Sequence, residues 1–316
     1  MMRPPKLPPI AETTHGHENQ VAKGMLLMIV AMLMLPIMDG IAKTLGVSYN
    51  VSAGQTTFGR FLVQALLLGV IIIGLYGWRA LIPSNLWLNL LRGALMSIAV
   101  MIFFATLKYM PIADALAVFF LEPFILTVMS AVILKEQVGW RRRITVLLGF
   151  VGALFIIQPS YQVFGAVSLM PICTAFLFAC YLTLTRVMAS KDNALTMQFA
   201  AGVGGVITLA LIVWVATQMG WQDFASPNLP EFGIRWVLIF VIGCIATIGH
   251  LLVVFAFRMT SASILAPFQY IEIIPGTMIG YWFFDDFPDG YKWLGIAIII
   301  GSGIYLFMRE RAVLDH

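Results

Sequence analysis

The chain has 316 residues, of which 60% are hydrophobic and only 11% are charged, and its formal net charge is +4. A soluble domain carries about 25% charged residues, so this composition excludes a water-solvated domain and indicates a chain solvated by lipid. The basic residues lie in short segments at the ends of apolar runs, so the positive charge does not indicate nucleic-acid binding.

The chain begins with a polar, proline-rich segment, and residues 1–23 are predicted to be a disordered cytosolic head. Ten apolar runs near 20 residues follow, which is the length that crosses a bilayer as an α-helix. Because barrel strands alternate over about ten residues, these unbroken runs predict helices. The predicted spans lie at 24–45, 56–76, 86–107, 114–134, 144–158, 166–185, 195–217, 235–257, 263–284 and 291–308, with a cytosolic tail at 309–316.

The ten spans form two similar halves, because charged residues recur at a distance of 150 positions. The recurring pairs are Glu122 and Glu272, Lys108 and Arg258, and Glu136 and Asp286. Five spans per half is an odd number, so the second half enters the membrane in the opposite orientation. The basic loop KEQVGWRRR and its acidic counterpart DDFPDGYKW fit that reversal. We therefore predict two inverted five-helix repeats, at 24–158 and 159–308.

The distribution of loop charges predicts the orientation. With the amino terminus inside, the outer loops hold only Lys108, Arg235 and Lys292, and the other loop lysines and arginines fall on the inner side. Cytoplasmic loops carry an excess of basic residues, so both termini are predicted to be cytoplasmic, in a multi-pass protein of the inner membrane.

Span one contains two charged residues, Asp39 and Lys43, which are four positions apart. This spacing predicts that the two side chains meet on one helix face as a neutral pair. Alternatively, Asp39 lies on a cavity wall, where it binds a cationic substrate group or a proton. Charges at this depth are costly, so each needs a structural or functional partner.

Two glutamates, Glu122 and Glu272, lie inside apolar runs with no basic residue within four positions. An isolated carboxyl group in lipid is expected to hold a proton at pH 7 and to release it when access alternates. Pro123 and Pro275 lie beside them and would free backbone carbonyls at the midplane. The alternative is a protonated structural glutamate that is hydrogen-bonded to another helix.

Further candidates for the site flank these acids. Arg60 is expected either to pair with Asp39 or Glu122, or to bind a substrate carboxylate, or to anchor span two at the lipid surface. Arg92, near the start of span three, is interpreted as a headgroup anchor. Four residues next to the glutamates could line a pocket for a planar or cationic substrate: Phe119, Phe120, Gln269 and Tyr270.

Several features are predicted to be absent. The three cysteines and four histidines are scattered, and His250 is interpreted as a packing residue, so we predict no metal site. No phosphate-binding loop occurs, and no cofactor is predicted. Glycines such as Gly149 and Gly301 predict close helix packing, either within the chain or, alternatively, in a homodimer.

A resemblance to a known family rests on three segments, MDGIAK, AVFFLEP and APFQYIE. It also rests on an acidic residue that precedes a glycine-rich helix in each half. Over residues 24–308 the chain resembles the EamA-domain branch of the drug/metabolite transporter superfamily. The resemblance implies a ten-helix carrier with a central cavity that works by alternating access. Members of the family export amino acids and amines or move nucleoside-like and vitamin-like metabolites, and their activities include uptake of S-adenosylmethionine and riboflavin.

The sequence thus favours a secondary transporter of a small organic metabolite, with coupling to a proton or another ion as a further hypothesis. Its substrate and the direction of transport stay open. Two other classes are kept as alternatives. An integral-membrane enzyme would need a cluster of His, Asp or Cys at one membrane face. A receptor or assembly subunit would bind its ligand without moving it.

Overall fold

The structure is a computed structural model that describes residues 14–136, 139–157, 163–189, 192–226, 230–286, 290, 293–295, 297–298, 301–302 and 305. Within these residues the secondary structure is helical, without β-strand, as predicted. The α-helices are α1 (Thr14–Val47), α2 (Ala53–Tyr76), α3 (Leu86–Leu107), α4 (Ile112–Phe119), α5 (Leu121–Val132), α6 (Trp140–Ile157), α7 (Met170–Met188), α8 (Ala194–Met219), α9 (Ile234–Met259), α10 (Ala262–Leu265) and α11 (Ile273–Phe284). Short 3-10 helices lie at Trp78–Leu81, Gly165–Leu169 and Ala266–Glu272.

In this part of the chain, seven segments are long and apolar enough to cross a membrane. They are Gln20–Val47, Ala53–Tyr76, Leu86–Leu107, Ile112–Val132, Gly165–Met188, Ala194–Met219 and Ile234–Met259. The predicted fifth span corresponds to α6, of which only Arg143–Gly152 counts as an apolar helix, and the ninth is broken into short pieces. Most of the tenth span and all of the predicted tail lie outside the described residues, so the structure gives a multi-span helical protein but not the count of ten.

The outer surface of the helices is apolar. On α2, Leu66 is 61% exposed and Val70 is 71% exposed, and Val132 at the end of α5 is 71% exposed. Water-soluble proteins do not display contiguous apolar surface of this kind, whereas a lipid bilayer solvates it. The helices therefore pack as a membrane bundle.

Helix α1 is longer than its predicted span. It begins at Thr14, so the last ten residues of the predicted disordered head are helical, and residues 1–13 lie outside the described part of the chain. A helix of 34 residues is longer than the hydrocarbon core of a bilayer, which about 20 residues cross. Its first turns therefore extend beyond the hydrocarbon core.

Helix α1 packs against the second half of the chain. A Cβ atom on Gly24 would lie 3.0 Å from Oγ1 of Thr260, and one on Gly40 would lie 2.6 Å from a methyl group of Ile279. Only glycine allows these close approaches in the observed packing. The first helix is thus held by residues more than 200 positions away.

Helix α7, the first helix of the second half, packs in the converse way against the first half. Its Thr174 hydroxyl donates a hydrogen bond to the carbonyl of Ala99 in α3 at 3.3 Å. Phe178 makes an edge contact with Phe119 of α4, with ring centroids 5.6 Å apart. Each half therefore contributes its first helix to the other.

Helices α3 and α8 approach with backbone against backbone. A Cβ atom on Gly93 would lie 2.2 Å from the carbonyl oxygen of Ala201, and one on Gly204 would lie 2.5 Å from that of Leu90. The space beside Gly149 of α6 is likewise occupied, because a Cβ atom there would lie 2.3 Å from the Tyr270 ring. Gly149 therefore serves packing within the chain, which is one of the two predicted roles.

The connections gather at two opposite ends of the bundle. At one, which we call the Asp223 end, the carboxylate of Asp223 accepts hydrogen bonds from Lys108 at 2.9 Å and Tyr109 at 2.7 Å. At the other, the Asp192 end, the Asp192 carboxylate accepts a hydrogen bond from the amide of Ser84 at 2.7 Å, and Arg258 donates to its carbonyl. Helix α1 starts at the Asp192 end, where Thr260 meets Val21.

Candidate functional site

The fourth predicted span is not a continuous helix. Helix α4 ends at Phe119, Phe120 takes φ −67° and ψ 3°, and α5 starts at Leu121. Pro123 accounts for the break, because it has no N–H to donate and is tolerated only in a first helical turn. The break places Glu122 at the amino-terminal end of α5.

The ninth predicted span is broken at the equivalent place. After α10 the chain forms the 3-10 helix Ala266–Glu272, and α11 starts at Ile273 with Pro275 in its first turn. Glu272 is the residue before α11, and Glu122 is the second residue of α5. Two related sequences thus place a carboxyl group at the interruption of a membrane helix, which is how carriers build binding sites from discontinuous helices.

A cavity of about 50 Å³ lies between the two halves beside these breaks. Its polar lining residues are Asp39, Thr174, His250, Gln269 and Glu272, and its walls are otherwise methionine, leucine, valine and phenylalanine side chains. A space of this size holds a few water molecules, whereas metabolite pockets measure about 300–1,000 Å³. The site must therefore widen to accept a metabolite.

Gln269 connects the two glutamates. It lines the cavity next to Glu272, and its side-chain amide donates a long hydrogen bond of 3.5 Å to Oε1 of the buried Glu122. The other oxygen of Glu122 has no hydrogen-bond partner among the described residues. Glu122 therefore lies one residue behind the cavity wall, and Glu272 lies on it.

Three carboxyl groups act on one another at this site. The charges of Asp39 and Glu122 both bear on Glu272, and all three side chains are more than 90% buried. Like charges repel strongly where water is excluded, so the three acids can all be ionised only if cations neutralise them, and otherwise one or more of them must hold a proton.

Arg60 supplies one such cation. Its side chain is fully buried, and its charge and that of Asp39 attract each other. None of its three guanidinium nitrogens has a hydrogen-bond partner among the described residues. The position excludes the lipid-anchor interpretation and agrees with the predicted proximity to Asp39.

Arg92 is also buried, so its interpretation as a headgroup anchor is wrong. Its Nε donates to the Thr185 hydroxyl at 3.0 Å, and its Nη1 donates to Asn89 at 2.9 Å and to the Met197 carbonyl at 3.1 Å. These bonds join α3, α7 and α8 near the Asp192 end. Burial of a guanidinium needs such partners, and two of the three, Thr185 and Met197, are far from Arg92 in the sequence.

Lys43 does not pair with Asp39, contrary to the prediction from their spacing. Its ammonium group donates to Asp286 at 2.9 Å and to the Met110 carbonyl at 3.2 Å. Asp39 turns towards the cavity instead. The two side chains, four positions apart on one helix, therefore have different partners, and those of Lys43 lie in the segments that follow α3 and α11.

The aromatic candidates divide into two groups. Phe119 lines the cavity, together with Phe103 and Phe178. Phe120 and Tyr270 pack edge to face on each other, with centroids 5.2 Å apart, and neither is among the residues that line it. The Tyr270 hydroxyl donates to the carbonyl of Val146 in α6 at 3.4 Å, so it positions the broken helix.

Two cavity residues were missed by the sequence interpretation. His250 was interpreted as a packing residue, and it lines the cavity with neither ring nitrogen hydrogen-bonded to a described residue. Thr174 had no distinguishing signal.

The described residues contain no group of three or more His, Cys, Asp or Glu side chains arranged for a metal ion.

This architecture defines a class: a multi-span helical membrane protein with two interrupted helices around an internal acidic cavity. The model of the EamA-like transporter family matches residues 22–158 and again residues 165–309. The chain belongs to the EamA-like transporter family, and the resemblance found in the sequence is confirmed.

Curated relatives cover nearly the whole chain. The riboflavin transporter of Vibrio cholerae is 25% identical over 289 residues, which is 91% of this chain and 94% of the relative. The S-adenosylmethionine uptake transporter of Rickettsia prowazekii is 24% identical over 91% of this chain and 93% of the relative. The pseudopaline exporter CntI of Pseudomonas aeruginosa is 25% identical over 91% and 97%.

A crystal structure matches the fold with a TM-score of 0.70, at 18% identity, over 92% of this chain and 99% of that chain. That similarity concerns the fold alone. Together, the family and the relatives identify a multi-pass membrane transporter of small molecules. They indicate a transporter rather than an enzyme.

Proposed function

We propose that the protein is a secondary carrier that moves a small organic metabolite across the cytoplasmic membrane by alternating access. In this proposal ten membrane helices form two inverted five-helix repeats, residues 24–158 and 159–308, with both termini in the cytoplasm. The substrate binds between the repeats, in the cavity that Asp39, Gln269 and Glu272 line. The observation that carries the proposal is the pair of interrupted helices, which place Glu272 on the wall of this cavity and Glu122 directly behind it.

A second observation supports alternating access. Lys43 in the first half pairs with Asp286 in the second, and Arg186 in the second half pairs with Glu136 in the first at 3.1 Å. Each cation also donates to a backbone carbonyl of its own half: Lys43 to that of Met110 and Arg186 to that of Phe257. The two pairs occupy equivalent places in the two repeats.

The backbone around the two acids repeats as well. Lys135, three residues after α5, and Asp285, directly after α11, have φ of 55° and 58°, which is a left-handed conformation. The amide of the next residue then donates to the carbonyl six positions earlier, at 3.1 Å in both repeats. This cap fixes the direction of each acid. Glu136 and Asp286 are therefore presented by the same local structure.

The two ion pairs lie at opposite ends of the bundle. Lys43 follows Asp39 along α1 towards the Asp223 end, and Arg186 lies near the end of α7, next to the Asp192 end. In the proposed orientation the Asp223 end faces outwards and the Asp192 end faces the cytoplasm. Opening of the cavity to one side breaks one pair and leaves the other intact, which is the behaviour of two gates.

Relatives of this chain are named as carriers of riboflavin, S-adenosylmethionine and pseudopaline, and we include the first two among the candidate substrates. The candidate classes are amino-acid, amine, nucleoside-like and vitamin-like metabolites. The site must enlarge from about 50 Å³ to hold any of them. The direction of transport is a matter for the assay.

The test is flux in proteoliposomes. The purified protein is reconstituted, and uptake of radiolabelled riboflavin, S-adenosylmethionine and a panel of amino acids and amines is compared with that of empty liposomes. Saturable uptake of at least one compound, reduced by Asp39→Asn, is expected. Binding without flux across sealed vesicles would identify a receptor instead. Conversion of the compound to a product would identify an enzyme.

A further inference from the structure

A second buried polar group adjoins the cavity. We call Arg60, Tyr181 and His250 the Arg60 cluster. The charge of Arg60 acts on both Tyr181 and His250, and the rings of Tyr181 and His250 meet edge to face with centroids 6.5 Å apart. Of the three, only His250 lines the cavity, so it connects the cavity to Arg60 and Tyr181 behind the wall. The three residues come from α2, α7 and α9.

Most polar atoms of this cluster have no hydrogen-bond partners among the described residues. These atoms are the three guanidinium nitrogens of Arg60 and both ring nitrogens of His250, whereas Tyr181 interacts with the Arg92 guanidinium, whose carbon lies 5.2 Å from the Tyr181 ring centroid. The side chains of Arg60 and Tyr181 are fully buried, and His250 is 2% exposed. A guanidinium group stays protonated and carries five N–H donors, and such donors are costly to bury unpaired. The cluster therefore requires a partner that is rich in acceptor oxygens.

A carboxylate is the partner that fits. Its two oxygens match the planar fork of a guanidinium in a bidentate arrangement, and a tyrosine hydroxyl or a histidine N–H can add a further bond. A phosphate dianion has similar oxygens but would bring two negative charges next to Asp39, Glu122 and Glu272. Those carboxyl groups repel a dianion in a water-poor site.

We propose that the Arg60 cluster binds the carboxylate of the transported metabolite, and that this metabolite is a zwitterion whose ammonium group faces Asp39 and Glu272. The inference rests on the proposed transport function and names its substrate class. Asp39 and Arg60 attract each other in this structure. A zwitterion offers a partner to each, so it separates the two charges without changing the net charge of the site.

The test measures binding rather than flux. The full-length protein in lipid nanodiscs is titrated with matched probes that differ in one group: L-methionine and L-methioninamide, S-adenosylmethionine and its decarboxylated form, and inorganic phosphate. Thermal stabilisation reports binding to the folded state. We expect the carboxylate member of a pair to bind, and Arg60→Gln to weaken that binding about 10- to 100-fold, the range for a hydrogen bond to a charged group.

Two variants complete the design. Arg60→Lys keeps the positive charge but lacks the planar fork of the guanidinium, so we expect intermediate affinity for carboxylates. If Arg60→Gln does not fold, Arg60→Lys is compared with the unmodified protein instead. Arg79→Gln, at an exposed arginine, should leave every affinity unchanged.

Three results overturn the inference: equal binding of both members of each pair, stabilisation by phosphate alone, or no stabilisation by any carboxylate probe. Flux of a probe that lacks a carboxylate would reject the Arg60 subsite and leave the proposed transport function standing. Absence of flux for every compound rejects the transport function, whatever the binding data give.

Discussion

The ammonium group of Lys43 lies 2.9 Å from a carboxylate oxygen of Asp286, a residue 243 positions further along the chain. The two side chains are 10% and 25% exposed, so the pair is largely shielded from water. Lys43 lies one helical turn beyond Asp39 on α1, so in the proposed function this pair gates the cavity on the side of the Asp223 end.

Removal of this pair should open that end. In a cysteine-free background with Val100→Cys on the cavity wall as reporter, Lys43→Ala is expected to raise the rate of modification by an impermeant maleimide added outside intact cells. Loss of about 1.4 kcal/mol from the closed state shifts the equilibrium about tenfold, and the rate should follow. The exchange of Lys43→Asp with Asp286→Lys should restore the slow rate. Lys23→Ala, at an exposed lysine, is the matched control.

The Glu136–Arg186 pair should control the opposite side. Glu136→Gln leaves Arg186 with one charged partner fewer, and the reporter on Val100 is then expected to react about tenfold faster in inside-out vesicles. The same variant should slow modification from outside, because it favours the state that is open to the cytoplasm. If Lys43→Ala and Glu136→Gln open the same side, the two-gate proposal is wrong.

Proton coupling can be separated from binding by two matched variants. Glu272 lies on the cavity wall and feels the charges of Asp39 and Glu122, whereas Glu122 bonds to Gln269 behind it. We expect Glu272→Gln to abolish the response of uptake to an imposed pH gradient while exchange of substrate across the membrane persists. Glu122→Gln should reduce that response less. Uptake that ignores a pH gradient in the unmodified protein would remove proton coupling.

Close packing of α3 on α8 predicts a stability difference between two glycines. Gly93→Ala places a methyl group against the backbone of Ala201, which cannot yield as a side chain would, so we expect a loss of about 1–3 kcal/mol. Gly74→Ala meets open space and should be neutral or stabilising by about 0.5–1 kcal/mol. Thermal unfolding of the two purified proteins in one detergent measures the contrast, and equal melting temperatures would contradict the packing described.

The pH dependence of the Asp223 end follows from its exposed cluster. Burial alone would raise the pKa of Asp223, but hydrogen bonds from Tyr109 and Lys108 outweigh it and lower the pKa below the ordinary 3.8. A lowered acid stabilises the fold above its ordinary pKa and loses that contribution as the pH falls through the folded value. The hydrogen bond with Asp223 chiefly raises the pKa of Lys108 above 10.5, so its contribution is lost only as the pH rises beyond that.

The contribution of this cluster to the stability of the fold is therefore constant between about pH 5 and pH 9, given these two pKa directions. Asp223→Asn should lower stability by less than about 1 kcal/mol, because both partners are more than one third exposed to solvent. It should leave the pH profile of uptake unchanged across that interval. A changed profile in this variant would show that the Asp223 end, and not the interior acids, sets the pH response.

The features that could be predicted from sequence are those that depend on neighbouring residues or on the internal repeat. Glu122 and Glu272 stood out as carboxyl groups within apolar runs, and the prolines after them were expected to free backbone carbonyls, although both spans were predicted to be continuous. The proximity of Arg60 and Asp39 was also among the expected pairings. These features depend on the cost of charge in lipid and on the missing proline N–H, and neither requires knowledge of the packing.

The features that could not be predicted depend on partners far away in the chain. Lys43 was assigned to Asp39 by helix spacing, but Asp286 competes for it from the other half. Arg92 was assigned to the lipid surface from its place in the span, and three helices enclose it instead. His250 carried no signal beyond its residue type. Spacing rules describe one helix, and these contacts belong to the assembled bundle.

The placement of α1 among helices of the second half sets the order in which the protein can be completed during synthesis. Its Gly24 and Gly40 fit against Thr260 and Ile279, which leave the ribosome after more than 200 further residues. Until then Asp39 and Lys43 have neither their cavity nor Asp286. The insertion machinery, or water at the membrane surface, must shelter this helix while the remainder of the chain is translated.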